Sequence, residues 1–395
     1  MKILIANLGS TSLKYRLFDF DGAEEKLLAR GGFERVTDYP AVINSCLDEL
    51  KAGGFITSEN DLAAVGFKPV IARGVTGCVR MDEQVLEAME AYREIAPAHN
   101  PPYITGVRLF TKRMPHTPMI GLFETAFYQW APEAAMRYAV PQDWFEEGVR
   151  RWGFHGASHK FIAERSAELL GRPDVAERVR MLYVNQGATP VREPALRVVS
   201  CHLGGSSSVT ATRNGVGLCS SMGMTPQGGL PQNNRVGDLD SFATAFMMRR
   251  RKLTVEQVEQ ALCKEGGLKG LSGGFNDMRD IREQAEHGNE KAKLAIDVLV
   301  WNARNWIGSY YLQMNGLDGL VFTAGIAENN PWLRQQICDN LDNLGIKLDV
   351  QRNAEAVSGK ETEISAADSK VKIYVIPTNE ELVVAREVKR FLENH

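Results

Sequence analysis

Ile3-Leu4-Ile5-Ala6-Asn7-Leu8-Gly9-Ser10-Thr11-Ser12, near the start, is written almost again in the middle, as Val198-Val199-Ser200-Cys201-His202-Leu203-Gly204-Gly205-Ser206-Ser207-Ser208. Each stretch is a short apolar run ending in Leu-Gly and a hydroxyl cluster. Each continues into alternating sequence, Leu13-Lys14-Tyr15-Arg16-Leu17-Phe18 after the first and Val209-Thr210-Ala211-Thr212 after the second. The pattern predicts strand, tight glycine turn, strand, made twice. Glycine lets the backbone turn its N–H groups outward, and the flanking hydroxyls add donors for phosphate oxygens. Two such hairpins facing one cleft would grip a polyphosphate.

The two turns lie 195 residues apart in a chain of 395, a spacing that suits two domains. A hydrophobic content of 44% and a charged content of 24% are those of an ordinary globular protein. The net charge of −3 implies no general attraction to nucleic acid or to an anionic membrane. No run approaches the roughly 20 apolar residues of a spanning helix, and the apolar start is too short for a signal peptide. Cys46, Cys78, Cys201, Cys219, Cys263 and Cys338 form no C-x-x-C pair, so neither a disulfide framework nor a zinc knuckle is expected and the cytoplasm is the expected location.

Along the chain the elements alternate in an α/β layout. Asp21-Gly22 is a turn signal, Ala63 to Phe67 reads as a strand, and Met81 to Glu94 has helical spacing. Ser158 to Leu170 reads as a helix stopped by Gly171, whereas Arg172 to Pro194 has no clear period. The glycine- and proline-rich stretch from Ser220 to Asn234 is too long to be a mere connection, so it is expected to be functional. Helices are expected at Leu239 to Arg251, Val255 to Cys263 and Glu290 to Met314. Leu320 to Thr323 reads as a strand running into Ala324-Gly325-Ile326-Ala327-Glu328-Asn329, and a helix then starts with Asn330 as N-cap and Pro331 in its first turn. Val371 to Ile376 reads as a strand, and Thr378-Asn379-Glu380-Glu381 fits a capping box opening the last helix.

These residues resemble the acetate kinases, acyl-phosphate-forming enzymes whose fold is shared with sugar kinases, actin and the Hsp70 ATPase. Asn7-Leu8-Gly9-Ser10-Thr11-Ser12-Leu13-Lys14 is similar to that family's N-x-G-S-S-S-x-K, and Arg151 to His159 to its R-x-G-F-H-G-T-S-H. His202-Leu203-Gly204, Ser221 to Pro226, Arg235 to Asp238, Asp277-Met278-Arg279, Phe322 to Ile326 and Pro377 to Leu382 follow in family order. The resemblance implies two ribonuclease-H-like, actin-like ATPase domains facing a central cleft: residues 1–142, completed by the C-terminal helix 383–395, and a nucleotide-binding and dimerisation domain, 143–382.

The implied activity is reversible transfer of a phosphoryl group from ATP to a short-chain carboxylate, giving ADP and an acyl phosphate, by a homodimer. Such a transfer needs cations and donors around a loosely bonded phosphoryl group, with little covalent work by protein. The resemblance makes Glu124, His155 and Arg235 the catalytic residues, and Lys68, Val70, Ala98, Phe154 and Pro226 those touching the acid. Asn7 and Glu380 would organise Mg²⁺ or Mn²⁺. Ser10, Ser12, Lys14, His202, Leu203, Gly204, Gly205, Ser206, Asp277, Met278, Arg279, Gly325, Ile326 and Asn329 would bind ATP, with Arg279 joining Arg235 on the transferred charge. Taken singly, Arg235, Asp277 and Arg279 read as solvated charges, His99, His155, His159 and His202 as structural histidines, and Glu381 as a helix cap.

The chain also departs from the family pattern. G-H-R-V-V-H becomes Gly66-Phe67-Lys68-Pro69-Val70-Ile71, which keeps a charge but loses the bidentate fork of arginine. F-D-T-A-F-H becomes Phe123-Glu124-Thr125-Ala126-Phe127-Tyr128, and L-A-P-L-H-N-P becomes Ile95-Ala96-Pro97-Ala98-His99-Asn100-Pro101, which removes bulk at the acyl pocket. G-N-G becomes Gly204-Gly205-Ser206, and M-G-T-R-S-G-D becomes Gln232-Asn233-Asn234-Arg235-Val236-Gly237-Asp238. An acid larger than acetate, or a hydroxylated one, is therefore the expected substrate. Pyrophosphate as donor, and a catalytically impaired relative acting as a binding or regulatory protein, are the alternatives.

Overall fold

The computed structural model describes residues 1–22 and 24–395. Strands β1 (Lys2–Leu8), β2 (Ser12–Asp21), β3 (Glu24–Glu34), β4 (Leu62–Phe67), β5 (Cys78–Arg80) and β6 (Met119–Leu122) form one sheet, in the order β3-β2-β1-β4-β6-β5. Strands β7 (Arg197–Leu203), β8 (Ser207–Arg213), β9 (Val216–Ser220), β10 (Gly319–Thr323), β11 (Thr362–Glu363) and β12 (Lys372–Val375) form a second, ordered β9-β8-β7-β10-β12-β11. The two orders are the same order, and so are the pairings. β1 runs antiparallel to β2 and parallel to β4, as β7 does to β8 and β10. The repeated peptide is thus the visible part of a repeated sheet.

Residue type explains the layering. In β1, Ile3, Leu4, Ile5 and Ala6 are all buried, as a central strand covered on both faces requires. β2 alternates, with Leu13, Tyr15 and Leu17 inward and Lys14 exposed.

Two helices tie the halves together. Gly156–Leu169 precedes the second sheet and packs on β7 and β10. The C-terminal helix Glu380–Asn394 leaves β12 and returns to the first sheet, burying Val383, Val384, Ala385 and Val388 in the core of Ile3, Ile5 and Val65. Where these helices cross, Lys160 and Glu387 form an ion pair only 1% exposed on either side. Phe127, Tyr128 and Met136 pack with Val198, Val216 and Val321 of the second sheet.

The last helix is not opened by the capping box expected at Thr378 to Glu381. Asn379 is the N-cap, accepting from the Leu382 N–H at 3.2 Å, and Glu381 turns instead to Arg16 and Asn7. The unassigned stretch after Arg172 holds a helix, Pro173–Arg180. Ser220 to Asn234 carries neither helix nor strand beyond the end of β9.

Candidate active site

The carboxyl ends of the parallel strands in both sheets open on one cavity of about 600 Å³, the location where open α/β sheets bind ligands. Asn7 on β1, Lys68 beyond β4 and Glu124 beyond β6 reach it from the first sheet. His202 on β7, Ser206 in the β7–β8 turn, Ala324 and Gly325 after β10, and Thr378 and Glu380 after β12 reach it from the second. Val70, Phe154, His155, Pro226 and Arg235 join the wall from connecting segments.

Lys68 sits between two carboxylates. Its Nζ lies 2.8 Å from Glu124 Oε1 and donates also to Glu380 Oε2. Burial opposes its charge, but Glu124 and Glu380 more than offset that, and the ammonium titrates well above its ordinary value. The two carboxyls are driven apart: burial raises Glu124 despite Lys68, while Glu380, resisting the same penalty, is held below its ordinary value by Lys68. Glu124 Oε2 is buried without a hydrogen-bond partner among the described residues. Asn7 Nδ2 donates to Glu381 Oε1 at 3.1 Å, and the Tyr103 hydroxyl donates to Asn7 Oδ1 at 3.4 Å.

His155 is placed by the glycines around it. Gly153 has φ +74°, with the Tyr128 ring where a side chain would project. Gly156 donates its N–H to the Glu124 carbonyl at 3.0 Å, and a Cβ there would come within 2.3 Å of that same oxygen. The F-H-G motif therefore locks the helix start against the strand end that delivers Glu124. His155 itself has φ +58°, a left-handed conformation just before the helix.

Its ring stacks on His202 with centroids 4.2 Å apart, and its Nδ1 shares a 2.8 Å hydrogen bond with Ser208 Oγ. Ser208 also meets His159 Nε2, Ser200 meets His159 Nδ1, and Ser158 meets His202 Nδ1. Burial, then the neighbouring rings, hold His155 and His159 well below their ordinary value, and burial takes His202 to about 4. All three are neutral at pH 7.

Arg235 faces them from the second sheet's side. Its Nη1 donates to Ser206 Oγ at 3.1 Å, Gln232 Oε1 at 3.3 Å and the Pro226 carbonyl at 3.5 Å. Burial lowers its proton affinity, but a guanidinium stays charged.

Not every expected residue reaches the cavity. Ala98 lines a second cavity of about 600 Å³ that shares His99, Pro226 and Arg235 with the first. Lys14 faces a smaller one with Arg16, Arg30, Asn7 and Glu381, and pairs with Glu34 at 3.3 Å. Ser10 is exposed on the first turn, which closes through Gly9 N–H to Ser12 O at 2.9 Å. Leu203 and Met278 are core side chains, so only their backbones remain for a nucleotide. Asp277 caps the helix Met278–Glu286, and Arg279, 86% exposed, pairs with it at 2.6 Å rather than entering the cavity. Gly204 and Gly205 form the second turn. Ile326 packs on the second core, and Asn329 is exposed, its Nδ2 donating to the Gly325 carbonyl.

The wall also contains His99, Tyr103, Glu328 and Thr378, for which no site role was expected. Glu328 Oε1 accepts from the Ala324 N–H at 2.7 Å, which caps the turn where Ala324 has φ +69°. The Gly325-Ile326-Ala327-Glu328 run carried that signal, since a carboxylate one turn into a helix can reach back to its first N–H groups.

A family description, "Acetokinase family", matches residues 33–386. The acetate kinase of Carboxydothermus hydrogenoformans is 38% identical over all of both chains, and that of Dictyoglomus turgidum is 39% identical over 99% of this chain and 97% of its own. Among solved structures, Porphyromonas gingivalis acetate kinase superposes with a TM-score of 0.87 at 32% identity over 99% of each chain. A propionate kinase from Francisella tularensis gives 0.84 at 30% identity over 98% of each.

Proposed function

Because the chain belongs to the acetokinase family, we propose that it transfers the terminal phosphoryl group of ATP reversibly to a short-chain carboxylate, and that the acid it prefers is larger than acetate. One observation carries the first part: Lys68, Glu124, His155, Arg235 and Glu380 converge on one cavity although they lie up to 312 residues apart. A carboxylate oxygen attacks the terminal phosphorus, the bond from phosphorus to the bridging oxygen breaks, and ADP leaves with that electron pair. No proton has to move.

The residues suit that chemistry. The Arg235 guanidinium offers charge and donors to the equatorial oxygens of the transferred group. His155, neutral and fixed through Nδ1 by Ser208, offers a hydrogen bond from a ring that adds no charge. Val70, Phe154 and Pro226 give the acid its apolar contacts. Open space beside Gly325, where a Cβ would meet nothing within 4 Å, supports a nucleotide donor over pyrophosphate.

Asn7 and Glu380 supply hard oxygen donors at the cavity wall, beside the unpartnered Glu124 Oε2, and this fits Mg²⁺ held through waters and phosphates. The ion would neutralise phosphate charge. Lys68 holds Glu380 meanwhile. Exposed Phe242, Phe246 and Trp301 support the homodimer.

The preference for a larger acid rests on Ala98, whose short side chain borders the second cavity next to Arg235 and Pro226. Restoring bulk with Ala98→Leu tests it. Wild-type protein should favour propionate, butyrate or lactate over acetate in kcat/KM, and A98L should shift that ratio toward acetate by about tenfold or more. Acetate used at least as efficiently as the longer acids by wild type would overturn the preference.

A further inference from the structure

Two of the segments in which the chain departs from the family pattern, 204–206 and 232–234, are brought together by the structure. Ser206 Oγ donates to Gln232 Oε1 at 2.8 Å, and Asn233 N–H donates to the Gly205 carbonyl at 3.3 Å. A Cβ on Gly205 would stand 3.4 Å from Asn233 Nδ2, so the carboxamide on one loop lies over the bare position on the other. Gln232 is 1% exposed and is held at both ends: Oε1 accepts from Ser206 and Arg235, while Nε2 donates to the Pro226 carbonyl at 2.7 Å. Arg235 Nη1 is engaged by Ser206, Gln232 and Pro226 together, which leaves its Nε and Nη2 donors for the cavity.

We propose that Gln232 and Ser206 are positioning residues that fix the direction of the Arg235 guanidinium toward the transferred phosphoryl group. A methionine or glycine, the residues in the family pattern at these positions, could offer Arg235 no side-chain oxygen. Gln232 cannot rotate freely, because turning its amide would set Oε1 against the Pro226 carbonyl and the NH₂ group against Arg235, two like-with-like contacts. Ser206 is oriented by the same bond. The bracket is thus a closed ring of hydrogen bonds with one charged member, and hydrogen bonds to a charged group are the stronger kind. A guanidinium misplaced by about 1 Å can cost on the order of a hundredfold in rate.

The proposal rests on Arg235 meeting the phosphoryl group, and the experiment separates the two claims. Gln232→Met, Ser206→Ala, Arg235→Lys and the doubles Q232M/S206A and Q232M/R235K are assayed for kcat and for KM of ATP and acid, with Tm recorded for each. Q232M should lower kcat by about ten- to a hundredfold with KM for ATP and Tm little changed. Gln232→Glu, which keeps an Oε acceptor for Arg235 but sets its second oxygen against the Pro226 carbonyl, should retain more of kcat than Q232M. S206A should add little to Q232M, and Q232M should add nothing to R235K, since the route through the guanidinium is then already lost. An R235K enzyme with wild-type kcat would overturn the role of Arg235 itself. A Q232M loss that persists in full on top of R235K, or one that follows Tm rather than kcat, would overturn the positioning.

Discussion

Glu387→Leu should destabilise this protein far more than Lys160→Met, although the two side chains belong to one ion pair. Lys160 Nζ and Glu387 Oε1 lie 2.8 Å apart and both side chains are 1% exposed. At an effective dielectric of about 20 their gross attraction is about 6 kcal/mol, which desolvation of two ions largely cancels. The partners differ in what remains when one is removed. Glu387 keeps Arg390 at 2.6 Å, so K160M should cost about 1–3 kcal/mol. Lys160 keeps the face of Tyr183, 5.6 Å away, and the longer-range attraction of Glu164, so E387L should cost about 3–5 kcal/mol, the range for a buried charge that has lost its partner. Burial already lowers the proton affinity of Lys160 even with Glu387 present, and the discharge this permits sets the ceiling on that loss. At about 1–2 °C per kcal/mol for a chain of 395 residues, thermal denaturation at neutral pH should place E387L about 3–10 °C below wild type. The double variant K160M/E387L should return to within about 2 kcal/mol of wild type, because no fully buried charge is then stranded and Arg390, 17% exposed, keeps access to water. A double variant as unstable as the two singles summed, or K160M worse than E387L, would refute the reasoning.

Gly156→Ala puts a methyl group 2.3 Å from the Glu124 carbonyl oxygen; it should cost about 1–3 kcal/mol of stability and lower kcat, with crystallography showing His155 displaced. Lys68→Met leaves Glu124 and Glu380 facing each other and should lower kcat/KM for the acid by at least about tenfold, whereas Lys68→Arg, which still offers donors to both carboxylates, should retain more activity; equal activities would count against the bridge. Glu59 is held down at about 2, first by the Lys51 hydrogen bond and with help from Arg113. A carboxyl with a lowered value contributes stability above its unfolded value and loses it as pH falls, so Glu59→Gln should lower Tm slightly at pH 7, by the equivalent of about 1 kcal/mol or less. That difference should vanish as the pH approaches 2.

The repeat at Gly9 and Gly204 made the double sheet legible, because a central strand and its hairpin leave a strong apolar-then-glycine trace. The F-H-G motif pointed to His155, and the structure supplies its reason in the contact of Gly156 with the Glu124 carbonyl. Long-range charge was not legible. Nothing near Lys68 in sequence says that it will bridge Glu124 and Glu380, nor that Glu381 will leave its own helix for Arg16. Arg279 shows the converse: a local pair with Asp277, two residues away, holds it in solvent. The helix Ala324–Asn329 was hidden because it begins at a non-glycine residue with positive φ, whose N–H donates to Glu328.

The most direct test is phosphorus NMR of the purified protein mixed with ATP, Mg²⁺ and propionate, with acetate in parallel. The account predicts an acyl-phosphate resonance growing as ADP appears, faster with propionate, and lost in Arg235→Ala. Hydrolysis of ATP to free phosphate at the same rate with and without acid, or no change in the ATP signals at all, would contradict it.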